Sequence, residues 1–381
     1  MAKFSDLDRL LEGFAGKTVP GCACVAAQNG KTLYEGYFGK ADLETGRPMT
    51  EDTVFRLFSM TKVIVCTAAM IQFERGKFLL NEPYSNYFPE YKNVQVAEVL
   101  PNGEIRLRPT KNPMLVRDAF MMAVGLPYPS GDSLTAQKMR EVRAELAAKG
   151  SYTLQDDVRA MASVPIRYDP GTHWSYGFGH EMVAALVEQT SGMTIGEFLK
   201  KEIFQPLGME STGYRYFGNI RERMATLYRP EEDGSFTPIP GPMDINHEPD
   251  ALYEGGGAGL FSTARDYSRF AQALAQGGLG IIGRKTIDLM RRNALNPAQQ
   301  LDFENSYNEG YGYGLGVRTM VRPEGVTNMS VGEFGWTGVC GTWVSIDPSE
   351  GFSVVYMHQT LPNNEEYHHH RVRSVAYGCL E

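Results

Sequence analysis

The sequence predicts an α/β fold in which strands from both ends of the chain build one sheet and a mainly helical segment is inserted between them. Three observations carry this. An Asn29-Gly30 pair joins two β-rich runs near the amino terminus, helical patterns fill the middle of the chain, and aromatic and β-branched runs return near its end. Strands at both termini with helices between them imply a single sheet rather than repeated βαβ units.

Taken in order, MAKFSDLDRLLEGFAGK sets Leu and Phe at helical spacing, broken by acids and bases. GCACVAAQNGKTLYEGYFG reads as a hairpin, Asn-Gly being the strongest short turn signal. FSMTKVIVCTAAMIQFERG predicts a helix that stops at Gly76, with Ser59 at or just before its start. Residues 82–254 hold helical patterns such as VRDAFMMAV and GHEMVAALVEQTSG between loops rich in Pro, Tyr and Gly. Residues 1–81 and 255–381 then form a discontinuous sheet domain, with 82–254 as the insert. In the second half, LFSTARDYSRFAQALAQGG predicts a helix with a capping-box-like start at Thr263 and Asp266 and an end at Gly277. YGYGLGVRTM, GTWVSI and FSVVYMH are strand-like, and HHRVRSVAYGCL is a last helix.

A chain of 381 residues with 42% hydrophobic and 22% charged residues is that of a soluble globular protein. A net charge of -8 and a pI near 5.5 leave no basic face for a nucleic acid. No window approaches the roughly 18 apolar residues of a membrane span, and the amino terminus lacks the unbroken apolar stretch of a signal peptide. The expectation is a cytoplasmic protein acting on a small molecule, its oligomeric state not fixed by the sequence.

Several motifs fail. The five cysteines, Cys22, Cys24, Cys66, Cys340 and Cys379, read as reduced core thiols. Zinc at Cys22-x-Cys24 is set aside on the expectation that the two point to opposite faces of a strand. GLGIIG at 278–283 follows a helix, not a strand, and reads as a turn between helices. His368, His369 and His370 splay about 100° apart on a helix and are expected on a solvated face. His180-Glu181 lacks a second histidine, and no G-x-S-x-G occurs. No metal or cofactor is expected.

Ser59-Met-Thr-Lys62 is different. An S-x-x-K arises by accident about once in such a chain, but here Lys62 falls one turn after a serine at a helix start, close enough to bond its hydroxyl. The helix amino terminus disfavours an ammonium and favours an alkoxide, and burial lowers a lysine pKa further. A capping serine beside an exposed lysine fits the same residues equally well.

The order Ser59-Met-Thr-Lys62, GTHWSYGFGHEMVAALVEQTSGMTIGEFLKKEIFQPLGMEST, GGGAGLFSTARDYSRFAQAL and FGWTGVCGTW resembles the serine β-lactamase and penicillin-binding-protein superfamily over nearly the whole chain. Its closest likeness is to the class C β-lactamase-like branch with family VIII carboxylesterases, nylon-oligomer hydrolases and acyltransferases of the lovastatin type. The resemblance implies a β-lactamase/transpeptidase-like fold, with a central antiparallel sheet and the insert as the other wall of the active site. By position, Ser59 would be the acylated nucleophile and Lys62 its proton partner. Tyr176 would shuttle the proton, Lys62 or Tyr176 being the formal base, and the backbone amides of Ser59 and Val339 would form the oxyanion hole.

Two departures bear on specificity. Trp336, in Trp336-Thr337-Gly338, stands where lactamases keep a lysine, and Phe178 where they keep an asparagine. With Thr337, Gly338 and Tyr128 they are expected to line the substrate site. The implied activity is a serine hydrolase cleaving a small carboxylic ester, or an amide, through an acyl-enzyme. An acyltransferase with the same residues, a weak β-lactamase and a non-catalytic relative are the alternatives.

Overall fold

The computed structural model describes residues 4–304 and 308–380. Strands β1 (Gly21–Gln28) and β2 (Lys31–Gly39) form the first hairpin. Asn29 and Gly30 at its tip have φ of 49° and 79°, the left-handed pair a two-residue turn requires. The remaining strands come from the far end of the chain: β3 (Tyr311–Tyr313), β4 (Arg318–Met320), β5 (Phe334–Gly338), β6 (Thr342–Asp347) and β7 (Phe352–Met357). The sheet order is β2-β1-β7-β6-β5-β4-β3, antiparallel throughout, with Val25 of β1 opposite Val355 of β7.

Both faces of the sheet are covered, which is why β6 and β7 are buried along their whole length. On one face lie α1 (Ser5–Phe14) and, from the other terminus, the last helix, Glu365–Gly378; the Cys22 thiol of β1 reaches the Leu11 carbonyl of α1. On the other lies the helix Ala264–Ala275, whose Gln272 bonds the Ala27 carbonyl and Ser353. Thr263 caps that helix at the Asp266 amide, and it ends before Gly277 as the sequence requires. GLGIIG is the turn between it and the helix Arg284–Met290.

α2 (Thr61–Glu74) is buried from Thr61 to Gln72 and packs against α3 (Gly179–Ser191) from the insert. At the base of the insert, Val54–Arg56 pairs antiparallel with Phe261–Thr263. Within 82–254 the helices share space with two short ladders, Gln95–Val99 with Ile105–Pro109 and Tyr228–Pro230 with Phe236–Pro238. Among the described residues, no helix is long and apolar enough to cross a membrane.

Two expectations need correction. Cys22 and Cys24 share one face of β1, because residues two apart on a strand point the same way. Both are buried, and burial pushes the Cys22 thiol up to about 12. His368 and His369 are not solvated: both are buried, His368 edge-on to Phe14 and His369 stacked on Trp343. The last helix is covered by the sheet and by α1 together, so a wide arc of its surface is inside.

Candidate active site

Ser59 lies in a single tight turn, Phe58–Met60, that leads directly into α2. Phe58 takes φ of 45°, a left-handed conformation that costs a non-glycine residue about 1–3 kcal/mol. The surroundings hold it there. The Leu57 amide donates to the Leu260 carbonyl, Tyr267 donates to the Met60 carbonyl, and Thr342 donates to the Leu57 carbonyl. Ser59 is left half-buried at the mouth of α2.

Lys62 is fully buried one turn along. Its ammonium donates to Ser59 Oγ at 3.1 Å, to Tyr128 OH at 3.1 Å and to the Gly257 carbonyl at 2.6 Å, one acceptor for each hydrogen. It also stands 4.7 Å from the centre of the Tyr176 ring. Burial opposes the charge, but the oxygens of Tyr128 and Tyr176 and the Glu181 carboxylate outweigh it and hold Lys62 above the ordinary lysine range. The depressed lysine expected from helix placement and burial is therefore not found; neighbouring oxygens decide the sign.

Tyr176 reaches this cluster because the loop around it is zipped to the loop around Tyr128. Ser175 bonds the Met122 carbonyl, Tyr128 the Tyr176 carbonyl, and Phe178 the Leu126 carbonyl, all through backbone amides. The two phenol rings meet edge to face at 5.3 Å. Trp336 is buried beside Tyr176, and its indole N–H donates to the Tyr176 hydroxyl at 3.1 Å. That contact fixes the phenol and leaves its hydrogen free to point elsewhere.

Phe178 departs from expectation. It is 1% exposed and offers no surface to a ligand. It opens α3 beneath Tyr128, ring centres 4.9 Å apart, and carries the Arg143 guanidinium 4.8 Å from its own. The residue supports Tyr128 from behind. Tyr128, named as a wall residue, is also a direct partner of Lys62.

Strand β5 runs into the Ser59 turn from the other side. A Cβ on Gly338 would overlap the Leu57 carbonyl oxygen, so the two segments touch as backbone. This brings the end of β5, and Val339 just beyond it in the turn to β6, next to Ser59. The Val339 side chain is half exposed. Thr337 donates to the Glu365 carboxylate at 2.7 Å.

Sequence reasoning missed three members of this arrangement. Gly257 supplies a carbonyl to Lys62, and a Cβ there would collide with Tyr128 OH and both Glu181 oxygens. The run of three glycines that it ends, 255–257, was the signal of such a close approach. Glu181 is buried beneath Lys62 and accepts from the Gly257 amide at 3.2 Å. Arg143 lies beyond it, paired with Asp157 at 3.1 Å. His180, beside Glu181, is pushed down to about 3 by burial and by Lys62, and sits on the Phe120 carbonyl as a neutral ring. A cavity of about 540 Å³ lined by Phe204, Met209, Tyr214 and Phe217, among others, contains none of these groups. Among the described residues, no three His, Cys, Asp or Glu side chains converge on a point that could hold a metal ion.

Comparison with known proteins places the chain. The family profile described as Beta-lactamase matches residues 7–377. Esterase EstB of Burkholderia gladioli is 28% identical over 360 residues, spanning 89% of this chain and 86% of that protein. Among solved structures, EstCE1, described as a hydrolase with promiscuous acyltransferase activity, superposes with a TM-score of 0.81 at 23% identity, covering 99% of both chains. Unliganded simvastatin synthase LovD from Aspergillus terreus superposes with a TM-score of 0.82 at 21% identity, covering 100% of this chain and 97% of that one.

Proposed function

Since the chain belongs to the β-lactamase family, we propose that it is a serine hydrolase that cleaves a small carboxylic ester through an acyl-enzyme on Ser59. The observation that carries this reading is the contact of Lys62 Nζ with Ser59 Oγ in a site where Tyr176 stands over the same ammonium. All three hydrogens of Lys62 are spent on acceptors, so it has no lone pair to take a proton. Tyr176 is then the proton acceptor, and Lys62 the fixed positive charge that favours both alkoxide and phenolate.

In acylation Tyr176 acts as the phenolate that the Lys62 charge favours: the Ser59 oxygen bonds the ester carbonyl carbon as its proton passes to the Tyr176 oxygen. The carbonyl oxygen becomes an oxyanion held by the amides of Ser59 and Val339. Collapse breaks the bond to the alcohol oxygen, which leaves with the proton from Tyr176. Water repeats the sequence in reverse roles and frees the acid. No metal or cofactor enters.

The side chains around β5 support an ester rather than a β-lactam. Trp336 puts an indole where a lactam carboxylate would need a cation, and the Thr337 hydroxyl already faces the Glu365 carboxylate. An unpaired or repelled buried carboxylate costs at least about 1–3 kcal/mol. We expect ready hydrolysis of p-nitrophenyl butyrate and nitrocefin turnover lower by roughly one to two orders of magnitude in kcat/KM. Ser59→Ala should abolish ester hydrolysis and labelling by a fluorophosphonate, and a phosphonate adduct on that variant would refute the assignment.

Transfer to an acceptor alcohol is the second reading, favoured by the likeness to EstCE1 and LovD. The same acyl-enzyme serves both. Adding alcohols and amines to the p-nitrophenyl butyrate assay and following the transfer ester or amide separates them.

A further inference from the structure

We infer that Glu181 is the buried counter-charge that keeps Lys62 an ammonium through the catalytic cycle, acting as a positioning residue that never touches substrate. This rests on the acyl-enzyme reading above. Glu181 is 5% exposed, on the first turn of α3, and one of its oxygens has no hydrogen-bond partner. A carboxylate is not buried this way at no cost: unless a positive charge faces it, it protonates or is replaced.

Gly257 explains how it is held. The Gly257 amide donates to Glu181 while the Gly257 carbonyl accepts from Lys62, so one peptide segment is gripped by both charges. The absent Cβ of Gly257 leaves the space in which Tyr128 OH and both Glu181 oxygens crowd together. Any larger residue there would push the carboxylate away from the ammonium.

The charged and titratable groups facing this pair come from several elements. Lys62 is faced by Tyr128 and Tyr176 from their loops, by Glu181 and the neutral His180 from α3, and by Cys66 one turn on along α2. Glu181 is faced by Lys62 and by Arg143 on the helix Leu134–Ala148, with Asp157 of the helix Leu154–Met161 behind Arg143. Tyr128, Tyr214 and Tyr253 also face it. Two cations and two acids alternate inward from Ser59 as Lys62, Glu181, Arg143 and Asp157. Burial holds the Glu181 carboxyl above the ordinary carboxylate range, and Lys62 and Arg143 offset part of that rise.

The consequence is a pH profile set by the pair. With Glu181 ionised, Lys62 stays protonated to high pH and the alkaline limb of kcat/KM lies high. Glu181→Gln keeps an acceptor for the Gly257 amide but removes the charge, leaving a buried ammonium without its counter-ion. Its alkaline limb for p-nitrophenyl butyrate should move down by about one pH unit or more, whereas Glu181→Asp, which keeps the charge, should hold the limb in place whatever its kcat. If the Gln variant's profile superposes on wild type after scaling, the role is structural only and the inference is overturned.

If Glu181→Gln does not fold, Arg143→Gln decides. Losing that cation should let Glu181 protonate at higher pH and raise the acid limb. An unmoved acid limb would overturn the inference. Failure of wild type to turn over any ester or to be labelled at Ser59 would instead strike the acyl-enzyme reading itself.

Discussion

Lys62, Tyr176 and Trp336 form a short chain of contacts whose links should differ in weight. Lys62→Met removes the charge that faces both oxygens, and Tyr176→Phe removes the proposed proton acceptor, so each should lower kcat by about a hundredfold or more. Trp336→Phe keeps the ring and loses one N–H donor to Tyr176, an interaction of about 0.5–1.5 kcal/mol, so kcat should fall by about two- to tenfold. Steady-state kinetics on the three variants check the order; near-native turnover in either of the first two would remove that residue from the mechanism. At this scale the clustering of Ser59, Lys62 and Tyr176 was legible because the first two are one helical turn apart and the third lies in a motif with its own pattern. The indole–phenol bond was not, since a Trp and a Tyr 160 residues apart in sequence are joined only by the fold. Glu181 was visible only as the second half of a failed metal motif, because nothing local tells a helical glutamate that it will be buried under a lysine.

At the scale of elements, the site is made where β5 meets the turn before α2. Gly338→Ala would drive a methyl into the Leu57 carbonyl and the Thr342 hydroxyl. The first is backbone in a turn already strained at Phe58, so it cannot yield cheaply. The variant should lose about 1–3 kcal/mol of stability. If the Val339 amide serves the oxyanion, kcat should also fall by about a hundredfold or more, as when one such donor is displaced. Thermal melts and kcat together make the test: a destabilised variant with native kcat would mean that β5 does not supply the donor. The same scale shows what sequence patterns convey. Asn29-Gly30 announced its hairpin because β-rich runs flank it on both sides. Asn102-Gly103 sits at the tip of the ladder Gln95–Val99 with Ile105–Pro109 and passed unread. Its outer strand reads IRLRP, an alternation too short to stand out, and its apolar residues Ile105 and Leu107 are exposed rather than core-facing. Phe178 was misplaced for a related reason: position in a motif fixes where the backbone is, and only packing fixes which side of Tyr128 the ring occupies.

At the scale of the whole molecule, the two ends of the chain are tied together at His368. The ring of this residue on the last helix meets the Thr18 hydroxyl at 2.9 Å and the Asn363 carbonyl at 3.2 Å, with Phe14 of α1 edge-on at 4.8 Å. The neutral ring serves both polar contacts, its Nδ1–H donating to Asn363 and its Nε2 accepting from Thr18. Burial pushes the imidazole down to about 4, against about 6.5 for a free histidine. The unfolded chain therefore takes up a proton below pH 6.5 that the folded chain refuses until about pH 4, and stability contributed by the neutral ring drains away as pH falls through that window. The slope is at most about 1.4 kcal/mol per pH unit for one group. Glu333 and Asp118, raised to about 7 and about 6 by burial, act with the opposite sign, so the wild-type curve alone does not isolate the effect. His368→Gln does: those carboxyls are common to both proteins and cancel in the difference. Urea unfolding at pH 7.5, 5.5 and 4.5 should show the variant less stable at the highest pH, where packing against Phe14 is lost, and the gap closing as pH falls. Stability curves that stay parallel across the window would show that His368 titrates in the fold as it does in water.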